Sequence, residues 1–300
     1  MELLDVCICT YRRASIVQTI ASIAQQTVRD RIDVRLIVAD NDEQQDARPA
    51  IEAAAAAHGI PLTYVHAPSR NIAIARNACL DTATADWLAF IDDDEVASHD
   101  WLAHLLAPRD EAEFVFGLVV ALYDPTTTAP WMVAGDFHST RMAGNEAVHN
   151  GSTANVLIRR AFIELHEFRF DLALGRSGGE DTIFFERAQL AGGRFLHAPE
   201  AVVYEKVAAS RAQLGWLVRR RFRAGQIHRT VLQERGASVT AAVLPALAKL
   251  GYCTAAAVLI AYDRKRATKH LLRGMLHAGF IASAFGMGTY QEYAAEAKRA

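Results

Sequence analysis

Over the first 120 residues, short apolar runs alternate with stretches that carry apolar residues at helical spacing. That alternation marks βαβ units and a mainly parallel sheet. The runs "LLDVCIC" (3–9), "DVRLIVAD" (33–40), "LTYVHA" (62–67) and "DWLAFID" (86–92) read as strands, with helices near 14–26, 46–57, 72–83 and 99–107. Strands apolar at nearly every position belong to a sheet covered on both faces. The pattern loosens over 113–205, where "EFVFGLVVALY" and "STANVLIRRAFI" read as strands and "GGEDTIFFERAQLAGG" as a glycine turn entering a helix. Beyond 206, "LGWLVRRRFRAGQIHRTVLQERG" reads as a basic helix, and two Ala- and Leu-rich stretches, 237–262 and 271–288, flank "DRKRATKHLLR". No internal repeat or disordered linker interrupts the chain.

In open α/β sheets, ligands sit at the carboxyl ends of the strands. The residues there are Thr10, Tyr11, Arg12 and Arg13 after the first strand, Asp40, Asn41 and Asp42 after the second, and Ser69, Arg70 and Asn71 after the third; the fourth runs into Asp92, Asp93, Asp94 and Glu95. Thr10 or Asn71 taken alone reads as a helix cap. Polar groups at the end of every strand read as a site. Adjacent aspartates repel one another, and folding them together raises their pKa values unless a cation is present. An Asp-x-Asp pair suits hard ions such as Mg²⁺ or Mn²⁺, which keep positions open for phosphate oxygens. The plain alternative is a solvated acidic turn, which the company of the other strand-end groups disfavours. Glu180 and Asp181, behind two glycines, either interact with a helix N-terminus or supply a general base. Arg70 and Arg76 are candidates to reach a phosphate or stack on a base.

Charge changes the picture of the C-terminal third. The 300 residues carry a formal net charge of −2, but residues 1–205 hold 16 Lys+Arg against 30 Asp+Glu, and residues 206–300 hold 16 against 4. A basic, apolar tail points to an anionic membrane surface rather than to nucleic acid. The domain expectation is therefore a catalytic α/β domain over 1–205 and a basic helical region over 206–300. The four cysteines, Cys7, Cys9, Cys79 and Cys253, lack zinc-type spacing and read as buried thiols of a reducing compartment. The start, "MELLDVCICTYRR", has no basic leader or cleavage signal, so a cytoplasmic location is expected.

Taken together, "CTYRR", "VADND", "SRNIAIARNACLDTATADWLAFIDDDE" and "GGEDTIFFERAQLAGGRF" resemble the family-two glycosyltransferases over roughly residues 3–205. More narrowly, "VADND", "NIAIARNACLD", "GDFHST" and "SGGEDTIFF" look like bacterial exopolysaccharide glucosyltransferases of the succinoglycan type. The resemblance implies a GT-A fold: α/β, Rossmann-like, with a mainly parallel central sheet, helices on both faces and a C-terminal helical region. It implies inverting, metal-dependent transfer of a sugar, glucose from UDP-glucose, to a lipid-linked oligosaccharide at the inner face of the cell membrane. Thr10, Tyr11 and Arg12 would line the nucleotide pocket and Asp40 would bond the uracil edge. Arg70 and Asn71, with Arg76 and Asn77, would approach base or diphosphate. Asp92 would contact ribose or sugar, with Asp93 beside it. Asp94 would bind the divalent cation, Mn²⁺ or Mg²⁺, with Asp92 and His197 as further candidate ligands. Asp181 would be the base, and Glu180 and the run Arg219, Arg220, Arg221 and Arg223 would lie on the acceptor side.

The chain departs from the family pattern after "VVY", where Glu205 stands in place of a frequent histidine. In the tail, Pro245 and Lys249 interrupt an apolar stretch of marginal spanning length. Two arrangements fit it: a packed helical hairpin, or a helix pair in the membrane interface, which the basic flanks favour. Among rivals, a phosphatase of the haloacid dehalogenase type needs a downstream lysine, and residues 1–205 contain none. A nucleotidyltransferase needs a glycine-rich phosphate loop that "CTYRRAS" does not provide. A non-catalytic nucleotide-sugar-binding or scaffold subunit would have no use for Asp181.

Overall fold

The computed structural model describes residues 2–140 and 151–288. β1 (Glu2–Thr10), α1 (Ile16–Ala24), β2 (Ile32–Asp40), α2 (Arg48–Ala57), β3 (Leu62–His66), α3 (Ile72–Thr82) and β4 (Trp87–Ile91) follow the expected alternation. Next come a short β5 (Glu95–Ala97), α4 (Trp101–Leu106), β6 (Phe114–Leu122) and α5 (Pro130–Gly135). β7 (Asn155–Arg159), α6 (Arg160–Leu165), α7 (Glu180–Leu190) and β8 (Phe195–Lys206) complete the sheet, and α8 (Leu214–Glu234), α9 (Val239–Leu259) and α10 (Arg264–Ala284) follow it.

The sheet has eight strands in the order β3-β2-β1-β4-β7-β6-β8-β5. The first four pair in parallel. Past β4 the pairing turns antiparallel, at β4–β7, β6–β7 and β5–β8. The parallel half therefore matches the βαβ rhythm, and the half with looser patterning is the antiparallel one.

β1, β2 and β4 bury both faces, and their side chains alternate between two cores, while the edge strand β3 is only half-buried. Leu4, Val6 and Ile8 of β1 and Leu36 and Val38 of β2 join Ile16, Ile20 and Ile23 of α1 and Trp101 and Leu105 of α4. Cys7, Ile37 and Ala39 point the other way, toward Cys79 and Leu80 of α3 and a phenylalanine cluster, Phe114, Phe116, Phe170, Phe184 and Phe185. All four cysteines are free. A charged group is set into the middle of β1. Asp5, fully buried on β1, takes two bonds from the Arg35 guanidinium on β2, at 2.7 and 2.8 Å, and two from the backbone N–H groups of Thr84 and Ala85 ahead of β4. It ties β2 and the entry to β4 onto β1.

By compactness the described residues divide into one unit up to Val120 plus Thr140–Glu205, and another comprising Ala121–Ser139 and the chain from Lys206. In the second unit α8 and α10 touch backbone to backbone. A Cβ on Gly225 would lie 1.9 Å from the Leu276 carbonyl, and one on Gly279 would lie 1.9 Å from that of Phe222. α9 runs on through Pro245 and Lys249, with Ala246 and Cys253 buried and Cys253 and Leu250 over Gly274 of α10. Beneath α8, His138 stacks on Trp216 at 5.3 Å, with ring bonds to Tyr123 and the Arg211 carbonyl.

Two stability measurements follow from these buried polar groups. Asp5→Ala strands Arg35 and two backbone donors and is expected to cost about 3–5 kcal/mol in urea unfolding. Burial lowers the His138 pKa to about 4 from its ordinary 6.5. Between these values the unfolded chain takes up a proton that the folded chain refuses, so stability present above pH 6.5 is lost as pH falls toward 4, on the order of 2–3 kcal/mol. His138→Gln is expected to flatten that part of the melting-temperature profile.

Candidate functional site

Where β4 ends, Asp92–Asp94 form a tight turn and the chain doubles back into β5. Glu95 closes the turn: its backbone N–H donates to the Asp92 carbonyl at 3.2 Å, and its carboxylate accepts the Asp92 N–H at 3.0 Å. β1 supplies the groups beside the turn. Thr10 donates its hydroxyl to Asp93 at 2.7 Å, and Arg13 lies 3.4 Å from Asp93 while donating to Asp94. β8 adds a further acid, since its register sets Glu205 opposite Glu95.

This much acid in one place is electrostatically costly. Burial raises the Asp92 pKa, and the charges of Asp94 and Asp181 push the same way against Arg76 and Arg13. Burial lifts Asp93 to about 7 in spite of Arg13 and Thr10. Glu95 is raised well above its ordinary value by burial and by Asp92 and Glu205. A bound cation would lower all of these. The residues fit one. The Asp92 carboxylate takes no hydrogen bond from a described side chain, and Asp92 and Asp94 flank the turn as hard oxygen donors. Among the described residues no group of three or more His, Cys, Asp or Glu surrounds a metal position. Mg²⁺ and Mn²⁺ are bound by one or two carboxylates, with water and phosphate oxygens completing the shell.

The other wall comes from α7. Gly178 and Gly179 take φ of 82° and 96°, a left-handed path that favours glycine, and launch the helix with two acids in its first turn. Glu180, expected on the acceptor side, is turned inward: it is buried and paired with Arg76. Asp181 is half-buried, its Oδ1 accepting from the Thr182 N–H at 2.7 Å. Arg76 lies over the Phe170 ring, and although burial opposes its charge, Glu180, Asp181 and Asp92 hold its pKa above the ordinary arginine value. Its electrostatic partners thus span α7 and the acidic turn.

Asn71 and Asn77, expected near base or diphosphate, are engaged internally. Asn71 caps α3 through the Ala73 N–H and donates to the Leu172 carbonyl, and Asn77 exchanges two bonds with the backbone of Phe170. Gly175 passes so close that a Cβ there would fall 1.8 Å from Asn71 Oδ1. These contacts clasp the segment before α7 onto α3.

At the end of β2, Asp40 is fully buried, with Tyr64 donating to one oxygen at 2.6 Å and the Asp42 N–H to the other at 2.9 Å. Asp42 offers more: Oδ1 accepts from Arg12 at 2.8 Å, while Oδ2 is buried without a partner. Tyr11 lies beneath Arg12 and Arg70, whose guanidinium carbons sit 5.4 and 6.0 Å from its ring centre. Arg12 and Arg70 both hold positive φ, 55° and 48°, strained for non-glycine residues.

His197 does not join the acidic turn, which corrects the expectation of a third ligand there. It is on β8, about 26 Å along an extended strand from Glu205. Burial lowers its pKa, and its Nδ1 is buried without a partner. Arg219, Arg220 and Arg221 are exposed on α8 and Arg223 is half-buried. They lie in the second unit, where Arg220 stacks over Trp216. Arg13, Asp42 and Glu95 stand among the strand-end groups that the sequence marks, but the sequence assigns them no role there. All three follow strand ends, but nothing local says which neighbour of Arg12 or Asp40 meets the acids.

An α/β sheet, parallel over β3-β2-β1-β4 and antiparallel beyond, with an acidic turn at the carboxyl end of β4, defines the class of fold. Residues 5–165 match the sequence model of the family "Glycosyl transferase family 2", and the chain belongs to that family. It is 44% identical over 297 residues to succinoglycan biosynthesis protein ExoM of Rhizobium meliloti, covering 97% of this chain and 96% of that one. It is 26% identical over 254 residues, 76% of each chain, to a glucosyl-dolichyl phosphate glucuronosyltransferase of Haloferax volcanii. A mannosyltransferase of Pyrobaculum calidifontis, solved with GDP-Man and Mn²⁺, shares the fold at a TM-score of 0.61 and 20% identity, over 93% of this chain and 86% of that one. The fold is GT-A with C-terminal helices.

Mn²⁺ is expected to raise the melting temperature by several degrees, as ligands of the folded state do. Asp92→Asn with Asp94→Asn is expected to abolish that shift in a thermal melt while raising the metal-free melting temperature, because the repulsion disappears.

Proposed function

We propose that the chain is an inverting, metal-dependent glycosyltransferase that moves glucose from UDP-glucose to a lipid-linked oligosaccharide in exopolysaccharide assembly, at the inner face of the cell membrane. The observation that carries this reading is electrostatic: Arg76 feels Asp92 of the acidic turn and Glu180 and Asp181 of α7 at once, so donor-side and base-side carboxylates share one neighbourhood. The relatives' names support the pathway, the lipid-linked acceptor and the use of a sugar nucleotide with a cation, and the choice of glucose from UDP-glucose rests on the resemblance alone. One is named for succinoglycan biosynthesis, another for transfer to a dolichyl phosphate sugar, and the mannosyltransferase was solved with a sugar nucleotide and Mn²⁺.

In this reading residues 1–205 form the catalytic domain and 206–300 the basic helical region. Tyr11, Arg12, Arg70 and Asp40 make the nucleotide end, with Asp42 Oδ2 available to an N–H of the base. Thr10 and Arg13 hold Asp93 and Asp94 in place, and Asp92 and Asp94 would hold the cation, which would supply positive charge beside the leaving diphosphate. Arg76 is a positioning residue: held by Glu180, it brings positive charge to Asp92 without leaving the core. Asp181 takes the proton. Thr182 occupies its Oδ1, so Oδ2 accepts the hydrogen as the acceptor oxygen attacks the anomeric carbon and the bond from that carbon to the diphosphate oxygen breaks. A single displacement inverts the carbon.

Asp181→Asn keeps the shape and removes the base. It is expected to lower transfer by roughly 10²–10⁴-fold, measured as nucleoside diphosphate release with acceptor, while leaving donor affinity unchanged. Metal-dependent binding of UDP-glucose with no turnover by the parent protein would instead identify a binding subunit.

A further inference from the structure

α9 is long and apolar enough to cross a membrane by length and composition, yet only 11% of its most apolar window is buried. Lys249, Pro245 and Thr254 are also exposed, but the exposed large apolar side chains share one side. Leu244, Leu247, Ala248, Gly251, Tyr252, Ala255, Val258, Leu259 and the following Tyr262 recur at three- and four-residue steps, so they form one stripe along the helix. Leu244, Tyr252, Val258, Leu259 and Tyr262 are 65–86% exposed. No charged residue lies within the stripe. Lys249 sits off it, and the opposite side carries Ala246, Leu250 and Cys253 against Gly274 of α10.

The stripe ends in cations. The turn after Tyr262 leads into Arg264, Lys265 and Arg266, and Lys265, Lys269 and Arg273 continue as an exposed row along α10. An uncharged surface this long does not face water without a partner. A second copy of the chain would bring the same row of cations against the first. An anionic bilayer meets both features. Crossing it would mean either stripping Cys253 and Leu250 from Gly274 or carrying the charges of α10 into hydrocarbon with α9.

We propose that α9 lies flat in the headgroup region of an anionic bilayer, with its Leu244–Tyr262 stripe toward the acyl chains and its Cys253 side on α10, while Lys265, Lys269 and Arg273 engage the lipid phosphates. Tyrosines at Tyr252 and Tyr262 suit that depth, each with an apolar ring and a polar tip. This deepens the reading of a lipid-linked acceptor, and rests on it only for why the enzyme should be at a membrane.

The full chain is floated with phosphatidylcholine vesicles with or without phosphatidylglycerol. Binding is expected to the anionic vesicles and to weaken with salt. Leu244→Glu with Leu259→Glu is expected to reduce it by about ten-fold or more while leaving the melting temperature and soluble donor hydrolysis unchanged, since both side chains face out. Tryptophan placed singly at Leu244, Tyr252 or Leu259 is expected to be quenched by brominated lipids at one shallow depth. Absence of flotation overturns the proposal, as does deeper quenching at position 252 than at the ends, which would mean a crossing helix. A vesicle-independent dimer that Leu244→Glu dissolves would assign the stripe to a second copy and overturn it too. Asp181→Asn separates the two readings: it should bind vesicles as the parent does, so lost transfer with intact flotation bears on the chemistry alone, and intact donor hydrolysis without flotation bears on the membrane alone.

Discussion

Crowding of carboxylates beyond β4 is the constraint around which the first unit is arranged. Asp92, Asp93, Asp94 and Glu95 stand on a turn whose backbone is closed by one of them, with Glu205 set opposite by strand pairing. Left to themselves they would shed charge, as the upward shifts at Asp92, Asp93 and Glu95 show. The protein supplies only partial relief through Thr10, Arg13 and Arg76. That incompleteness suits a site whose remaining positive charge arrives from outside, and it gives the family's sheet edge a physical reason to bind.

Other parts of the unit hold this turn in relation to α7. Two glycines with left-handed φ start the helix, and the asparagines of α3 fasten the segment before it. The Glu180–Arg76 pair then works from within the core. A buried pair of this kind is weak evidence for stability. Its use is positional: it keeps a cation that feels both Asp92 and Asp181 from relaxing into solvent. Asp5 does comparable service at the other end of β1, where four bonds to one carboxylate fix how β2 and β4 meet it.

The second unit obeys a different economy. α8 and α10 approach so closely at Gly225 and Gly279 that their backbones are the contact, and α9 packs on α10 with Cys253 and Leu250 over Gly274. Most of the apolar surface of α9 is therefore left outside the packing. A soluble helix pair would place its leucines inward and its lysines outward along the same helix. Here the leucines of α9 and the lysines of α10 share the exterior, an arrangement with a physical rationale at a charged interface.

Much of this was legible in the chain itself. Alternating periods of two and of three to four give the parallel strands and their helices, because side-chain direction follows backbone repeat. Strand-end chemistry located the acidic turn, and the imbalance of charge marked the tail. The partners were not legible. Arg12 and Arg13 are neighbours, yet one meets Asp42 and the other the acidic turn; Glu180 and Asp181 are neighbours, yet one is buried on Arg76 and the other half-exposed. His197 looked close to the metal site until the register of β8 carried it to the far end of the strand. Local sequence determines period and element, since those depend on residues within a few positions. Which of two adjacent side chains meets a residue 80 or more positions away depends on strand register and helix packing, and only the tertiary structure decided it.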